Sequence, residues 1–311
     1  MINRVLLRIK IIQAVYSFYK GGGKSIPAAE KELFYSIEKT YELYFHLLQL
    51  SVEVTKYAAQ RIDARKNKLR PTDEDLNPNT RFIDNAFVDL LSRNEHLNNF
   101  IAEHKISWAD NFDTVKLVYD LIVESDFYAE YMAAESTDFT ADKNLWRKIF
   151  RNIILQCEEF FESIEDQSIY WTDDLDIVVS FIIKTIKRFD LKGGVEQELL
   201  PMFRDEDDAE FASKLFRETL ENEAKLLEIV DNNTKNWDLD RIAFMDTIIM
   251  QTALAEIMSF PTIPVSVTLN EYIEIAKNYS TPKSAVFING VLDSAVKELK
   301  AENKLIKVVR I

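Results

Sequence analysis

From Asn79 to Lys192 the chain contains neither glycine nor proline, and this feature restricts the fold more than any other. A sheet of short strands needs frequent tight turns, and such turns rely on glycine, proline or asparagine. Helices joined by polar turns tolerate this composition. We therefore predict that the stretch is helical and that the chain as a whole is all-α.

The size and composition of the chain indicate a globular protein without a catalytic centre. Its 311 residues are enough for two hydrophobic cores, and 47% of them are hydrophobic. The single cysteine, Cys157, lies in an apolar stretch and is predicted to be a buried thiol. The three histidines lack zinc-site spacing, and no glycine-rich phosphate loop or Ser/His/Asp signature is present. We expect no enzyme activity, no metal and no cofactor.

Apolar residues that recur every three or four positions outline the helices. The glycine run 21–23 ends the first of them, and Thr268 with Glu271 is typical of a capping box. Thr281 followed by Pro282 predicts the start of the last helix. The expected helices are 3–20, 27–64, 79–92, 108–133, 142–163, 172–190, 208–232, one from Asp238 or Asp240 to Phe260, 270–279 and 281–300.

The distribution of charge limits the possible partners. A net charge of −14 argues against non-specific binding of nucleic acid by the whole surface. Residues 1–24, however, hold five basic residues and no acidic one. No apolar run approaches eighteen residues, and the apolar N-terminus is interrupted by basic residues, unlike a signal peptide. We expect a cytoplasmic protein without a membrane partner.

Two segments near the end of the sequence form a recognisable pattern. Residues 269–279 read LNEYIEIAKNY and residues 287–293 read FINGVLD. They resemble the pattern of the NusB family of transcription antitermination factors, in which a helix “INEAIELAK” with an aromatic residue precedes “FVNGVLD”. Residues 12–18 are similar to the family's N-terminal “QALY” helix, and 244–257 resemble a helix that ends in “ALYEL”.

The resemblance covers about 1–24 and 207–311, and it implies a NusB-like double helical bundle in which 25–206 form an additional helical insertion of unknown role. Family members act together with a small-subunit ribosomal protein called NusE. The pair binds single-stranded boxA RNA in ribosomal RNA leaders, within the antitermination complex of RNA polymerase, and NusB catalyses no step. These properties are expectations for the present chain.

Six residues are candidates for RNA contact. Arg4 and Arg8 match basic positions of the family, and because they are four residues apart on one helix they share a face that can grip phosphates. The alternative is that both are ordinary solvated charges. Lys283, just before the last helix, can also hold a phosphate, or it is a solvated lysine.

Three aromatic residues are the other candidates. Tyr16 matches the tyrosine of the family's first helix, and Tyr279 and Phe287 match aromatic positions that flank the RNA surface in the family. Flat rings stack on unpaired bases, although aromatic residues at helical spacing also pack in cores. Gly290 lies inside the last predicted helix, where close approach of a neighbouring helix would explain a glycine. Asn289 beside it is expected to make a structural hydrogen bond.

Two functions follow from this interpretation. The first is an antitermination factor that binds boxA-like RNA together with NusE. The second is a protein-interaction scaffold that keeps the fold but has lost its affinity for RNA. The net charge, and Val5 and Leu6 in place of the arginines of other family members, favour the second.

Overall fold

The computed structural model describes residues 2–23, 25–136, 138–234 and 242–308, and all regular structure in this part of the chain is helical. It comprises fifteen α-helices and four short 3-10 helices. An isolated parallel bridge between Ile2 and Phe203 is the only β-type pairing among the described residues. The all-α prediction is confirmed. None of the described helices is both long enough and apolar enough to cross a membrane.

The chain divides into two compact units, which we call the terminal unit (residues 2–37 and 203–311) and the central unit (residues 38–202). The boundary falls inside the second helix. The terminal unit contains α1 (Arg4–Lys20) and the start of α2 (Ile26–Lys66). The central unit contains the rest of α2, α3 (Asp73–Leu76), α4 (Ala86–Ser92), α5 (Glu95–His104), α6 (Phe112–Glu124), α7 (Asp126–Ala133), α8 (Phe139–Asn152), α9 (Glu158–Gln167) and α10 (Leu175–Arg188). The terminal unit then resumes with α11 (Glu206–Glu221), α12 (Glu223–Asn233), α13 (Phe244–Ser259), α14 (Val265–Tyr279) and α15 (Ser284–Ala301).

The terminal unit takes in more of the chain than the 1–24 and 207–311 expected from the sequence. The start of α2 belongs to it because Glu30 is bound by two side chains of α11. The Arg217 guanidinium donates to the Glu30 carboxylate, with 2.9 Å from Nε to Oε1, and the Ser213 hydroxyl donates to the same Oε1 over 2.5 Å. The Arg217 hydrogen bonds lower the pKa of Glu30, which therefore stays charged in this contact.

The central unit has an aromatic core built around His46. The imidazole of His46 stacks on Trp108 with 4.0 Å between ring centroids, and its Nε2 lies 3.0 Å from Oε1 of Gln167. Burial lowers the pKa of His46 to about 4, so the ring is neutral at physiological pH. Cys157 is buried as predicted, and burial raises the pKa of its thiol.

The number of helices between 79 and 192 differs from the prediction. Four were expected, and seven α-helices are observed among the described residues of this stretch. One of the additional helices, α7, begins inside the expected helix 108–133, and another, α5, lies between the expected helices 79–92 and 108–133. Asn94 accepts from the Leu97 N–H, and Ser125 accepts from the Tyr128 N–H, as N-caps of α5 and α7. The predicted helix 142–163 is divided by the 3-10 turn Ile154–Gln156.

Three boundaries of the terminal unit also differ from the prediction. The expected helix 208–232 is broken at Asn222, which separates α11 from α12. The predicted capping box at Thr268 does not start a helix, since α14 already begins at Val265 and the Thr268 hydroxyl bonds Glu256 instead. The last helix begins at Ser284, after a turn closed by the Ser284 N–H and the Thr281 carbonyl at 2.9 Å.

Helix α13 is the centre of the terminal unit. Eleven of its residues are buried, including every position from Ile248 to Ile257, so it is enclosed on all sides. The structure describes it from Phe244, and the expected starting residues Asp238 and Asp240 lie outside the described part of the chain.

Candidate nucleic-acid interface

Arg8 lies in the core of the terminal unit and pairs with Glu256 of α13. The guanidinium donates twice to the carboxylate, with 2.8 Å from Nε to Oε2 and 2.7 Å from Nη2 to Oε1. Arg8 is 3% exposed and Glu256 is 0% exposed. Burial disfavours the cation, but the hydrogen bonds and charge of Glu256 outweigh this effect and raise the pKa of Arg8. The pair is therefore ionised and bidentate.

Two hydroxyl groups of α14 complete the coordination of Glu256. The Thr268 hydroxyl donates to Oε1 over 2.8 Å, and the Tyr272 hydroxyl donates to Oε2 over 3.1 Å. Burial and the charge of Glu256 raise the pKa of Tyr272 well above its ordinary value, so this ring remains a donor. The Arg8 side chain is used inside the protein, which differs from the expectation that it grips an RNA phosphate.

Arg4 occupies a different environment one turn before Arg8. Its Nε lies 3.2 Å from Oδ1 of Asp208, and its guanidinium lies 4.9 Å from the ring centroid of Phe211. The Arg4 side chain is 36% exposed, whereas that of Asp208 is buried. Arg4 is thus partly neutralised by α11 while part of its guanidinium faces solvent.

The other end of α1 carries an exposed group of aromatic rings and a cation, which we call the Tyr16 cluster (Tyr16, Lys20 and Phe244). The rings of Tyr16 and Phe244 lie 5.6 Å apart and are 37% and 41% exposed. The Lys20 ammonium lies 4.7 Å from the Phe244 ring centroid and 5.7 Å from that of Tyr16. Sequence reasoning missed Lys20 and Phe244 as site residues, although Lys20 follows Tyr16 by four positions on the same helix face.

The first turn of α13 also holds the connection between α14 and α15. Asp246 is buried, and its carboxylate accepts hydrogen bonds from the hydroxyls of Ser280 and Ser284, the second over 2.7 Å. The exposed Lys283 lies between these two serines. Because Phe244 is two residues from Asp246, the Tyr16 cluster and Lys283 lie at the same end of the terminal unit.

Tyr279 and Phe287 flank this connection, and both are half-buried with further contacts inside the protein. The structure therefore brings Tyr16, Tyr279, Lys283 and Phe287 to the end of the unit where α13 begins. Arg4 is not part of this group, because twelve residues of helix place it about 18 Å from Tyr16 along the α1 axis.

Gly290 and Asn289 lie on the exposed side of α15. A Cβ atom built on Gly290 would meet nothing within 4 Å. The expectation that a neighbouring helix approaches Gly290 closely is therefore wrong, since that side of α15 faces open space. Val286, one turn earlier, is 80% exposed on the same helix.

Comparisons with known proteins identify the family. The profile of the NusB family matches residues 176–297. The transcription antitermination protein NusB of Salinibacter ruber is 38% identical over 123 residues, which cover 38% of this chain and 77% of that protein. The chain belongs to the NusB family. NusB of Koribacter versatilis is 39% identical over 100 residues, or 32% of this chain and 68% of the relative. The solved structure of T. maritima NusB is 25% identical and covers 51% of this chain and 95% of its own, with a TM-score of 0.31.

The NusB match contains part of the candidate interface. Phe244, Tyr279, Lys283 and Phe287 lie inside residues 176–297, whereas α1 with Arg4, Arg8 and Tyr16 lies before them. The resemblance stated from the sequence is confirmed for the family. No group of histidine, cysteine or acidic residues within the described ranges is arranged to hold a metal ion.

Proposed function

We propose that this protein is a transcription antitermination factor that binds boxA-like single-stranded RNA of ribosomal RNA leaders together with the small-subunit ribosomal protein NusE. The observation that carries the proposal is the Tyr16 cluster, an exposed pair of aromatic rings beside a lysine on a NusB-family chain. The curated relatives are named transcription antitermination proteins. In this role the protein recruits partners in the cytoplasm and catalyses no reaction.

Exposed rings with an adjacent cation suit single-stranded RNA. An unpaired base stacks on an aromatic face, and a nearby ammonium group binds the phosphate that follows it. Tyr16 and Phe244 offer such faces, and Lys20 lies within cation–π distance of both rings. We assign Tyr16 to base stacking and Lys20 to a phosphate.

The connection between α14 and α15 supplies a second cation at this end of the unit. Asp246 fixes both serines beside Lys283, so the backbone that carries the lysine is held by buried hydrogen bonds. A preorganised lysine loses less conformational entropy when it binds a phosphate. We include Lys283, with Tyr279 and Phe287 on either side, in the proposed RNA surface.

The acidic charge of the chain is concentrated in the central unit. Residues 38–202 hold 31 acidic and 19 basic residues, a net charge of −12. Residues 2–37 and 203–311 hold 21 acidic and 19 basic residues, a net charge of −2. Most of the net negative charge that argues against RNA binding by the whole chain therefore belongs to the central unit, and the terminal unit is nearly neutral.

The two arginines have different roles in this proposal. Arg8 is a positioning residue, because its bond to Glu256 fixes α1 against α13 and thereby sets the position of Tyr16 and Phe244. Arg4 is a candidate for a peripheral phosphate contact, since its guanidinium is partly exposed. We further propose that 1–24 and 207–311 form the RNA- and protein-binding domain, with 25–206 as an insertion.

The scaffold without RNA affinity is the second candidate. It is favoured by the burial of Arg8 and the pairing of Arg4 with Asp208, which together withdraw the arginines of α1 from solvent. In that case the terminal unit docks the ribosomal protein and the antitermination complex of RNA polymerase without touching boxA.

A salt-dependent RNA titration separates the two candidates. Binding of a labelled boxA oligonucleotide is measured by fluorescence anisotropy at several salt concentrations, with and without the ribosomal protein. Tyr16→Ala is expected to weaken binding by about 1–3 kcal/mol through loss of stacking. Lys20→Ala and Lys283→Ala are each expected to reduce the slope of log affinity against log salt by about 0.7.

Lys300→Ala is the matched control, because Lys300 is an exposed lysine at the far end of α15. Equal effects of Lys283→Ala and Lys300→Ala would contradict a localised RNA surface. If the chain captures the ribosomal protein but binds boxA RNA under no condition, the result supports the scaffold and contradicts the RNA-binding factor.

A further inference from the structure

A cavity of about 640 Å³ lies between α7 and α8 of the central unit. Three cations of α8 line it, Arg147, Lys148 and Arg151, and the first and third share a helix face because they are four residues apart. Its size is within the range of small-molecule sites, about 300–1,000 Å³. The proposed RNA surface of the terminal unit does not include this cavity.

The positive charge in the cavity is only weakly compensated. Glu130 is the one acidic residue among those that line it, and its carboxylate lies 3.9 Å from the Lys148 ammonium. The Glu130 side chain is 75% exposed, so this ion pair contributes little. Three cations therefore converge in a unit whose net charge is −12.

Helix stability does not account for all three cations. Arg151 lies in the last turn of α8, where a cation interacts favourably with the helix dipole. Arg147 lies one turn earlier, and its Nε is buried without a hydrogen-bond partner, while its Nη1 donates to Asn144 over 2.9 Å. A buried donor without an acceptor is costly, and an oxyanion in the cavity would supply one.

The remaining lining combines an aromatic ring with small apolar side chains. Phe127 of α7 contributes the ring, whose centroid lies 5.8 Å from the Lys148 ammonium. Ala134, Ala141 and Leu145 make part of the wall apolar. A ligand that carries both an anionic group and a flat aromatic group complements this lining.

We propose that this cavity binds a nucleotide, with its phosphate held by Arg147, Lys148 and Arg151 and its base against Phe127. The nucleotide is either a free mononucleotide or one unit of a single-stranded RNA, because both present the same phosphate and base. The site is independent of the Tyr16 cluster, since its residues all belong to the central unit.

The test titrates the full chain with three probes: inorganic phosphate, AMP and a short single-stranded oligoadenylate. Lys148→Glu and Arg151→Glu change exposed residues and are expected to weaken nucleotide binding at least tenfold. Lys187→Glu is the matched control, because Lys187 is an exposed lysine of the same unit that does not line the cavity. Thermal unfolding of each variant shows that the fold is retained.

Phe127→Leu tests the base contact separately. It is expected to weaken AMP binding about fivefold, the lower end of what loss of a stacked base costs. AMP binding that the cavity variants abolish identifies a free nucleotide. Oligonucleotide binding that the same variants abolish, with no binding of AMP, identifies an RNA strand. Either result supports the site.

Three results would overturn it. The first is that neither AMP nor the oligonucleotide binds. The second is that Lys187→Glu weakens nucleotide binding as much as the cavity variants do. The third is that inorganic phosphate binds as tightly as AMP. None of them affects the proposed boxA surface, which is probed by variants of the terminal unit.

Discussion

Two buried carboxylates, Glu256 of the terminal unit and Asp142 of the central unit, are held in different ways. In the terminal unit Glu256 is neutralised by Arg8, which is 248 residues away in the sequence. In the central unit Asp142 accepts hydrogen bonds from neutral donors, the Ala86 N–H over 2.8 Å and the Tyr131 hydroxyl over 2.7 Å. The comparison shows that Glu256 depends on an ion pair between distant parts of the chain, whereas Asp142 depends on neutral donors, one of which is at the start of α4.

The largest effect is expected when the ion pair is broken. Arg8→Ala leaves the buried Glu256 carboxylate without its cationic partner, and breaking a buried ion pair costs about 3–5 kcal/mol. Arg4→Ala is the control from the same helix. It is expected to cost less than Arg8→Ala, because the Arg4 side chain is 36% exposed and water can replace part of the lost contact with Asp208. Urea unfolding monitored by far-UV circular dichroism, with hydrogen exchange of the α13 amides, measures both.

The contrast between the two arginines makes this prediction specific. Similar losses from Arg4→Ala and Arg8→Ala would show that burial of the pair does not determine its contribution. In Arg8→Ala the hydrogen-exchange protection of the α13 amides should fall more than the protection of amides in the central unit, because Glu256 lies on α13.

The second largest effect concerns the neutral core of the central unit. The pKa of His46 is about 4 in the folded protein against an ordinary 6.5, so between these values only the unfolded chain binds the proton. Stability should therefore fall as the pH drops from about 6.5 to 4, by at most about 3 kcal/mol from this group. Three of the four tryptophans lie in the central unit, so their fluorescence during urea unfolding monitors it.

Two variants separate His46 from the other titrating groups. His46→Gln is expected to flatten the pH dependence between 6.5 and 4, whatever its cost at neutral pH. His104→Gln should keep the dependence, because the His104 side chain is 34% exposed. An unchanged slope in His46→Gln would assign the acid sensitivity to other groups.

The sequence predicted the fold class and the family, because both depend on local patterns. The absence of glycine and proline between 79 and 192 excluded a sheet, and the segment 287–293 carried the resemblance to NusB. The burial of Arg8 could not be predicted, since it depends on a carboxylate 248 residues away. The helix that begins after Asn94 and the helix break at Ser125 were missed because a capping residue looks the same in sequence as a polar surface residue.

A smaller effect is expected for Asp142, whose carboxylate caps the start of α4 in the central unit. Asp142→Ala removes the acceptor of the Ala86 N–H and of the Tyr131 hydroxyl, and should cost about 2 kcal/mol. Asp142→Asn keeps one acceptor oxygen and should cost less. If Asp142→Ala lowers the free energy of unfolding as much as Arg8→Ala does, the two buried carboxylates do not differ in their contribution to stability. Tryptophan fluorescence again provides the measurement, since Trp146 lies on α8 with Asp142.

The smallest effect is expected at Gly290, and it has the opposite sign. Alanine is favoured over glycine inside a helix by about 1 kcal/mol, and a Cβ atom at this position meets nothing within 4 Å. Gly290→Ala should therefore stabilise the terminal unit by about 1 kcal/mol in urea unfolding. Val286→Ala is the control, because it changes an 80% exposed residue of the same helix. Ser294→Ala is unsuitable, because the Ser294 hydroxyl donates to Asn233 over 2.6 Å.

The sign of the Gly290 effect also tests the comparison between the units. A gain confirms that the outer side of α15 makes no intramolecular contact, so the stability of the terminal unit comes from the packing around α13 and Glu256. A loss would mean that another part of the chain approaches Gly290. Binding of the ribosomal protein, measured on the same variant, then gives separate information. Weaker binding without loss of stability would assign the open side of α15 to a partner, because the added methyl group would clash only in the complex.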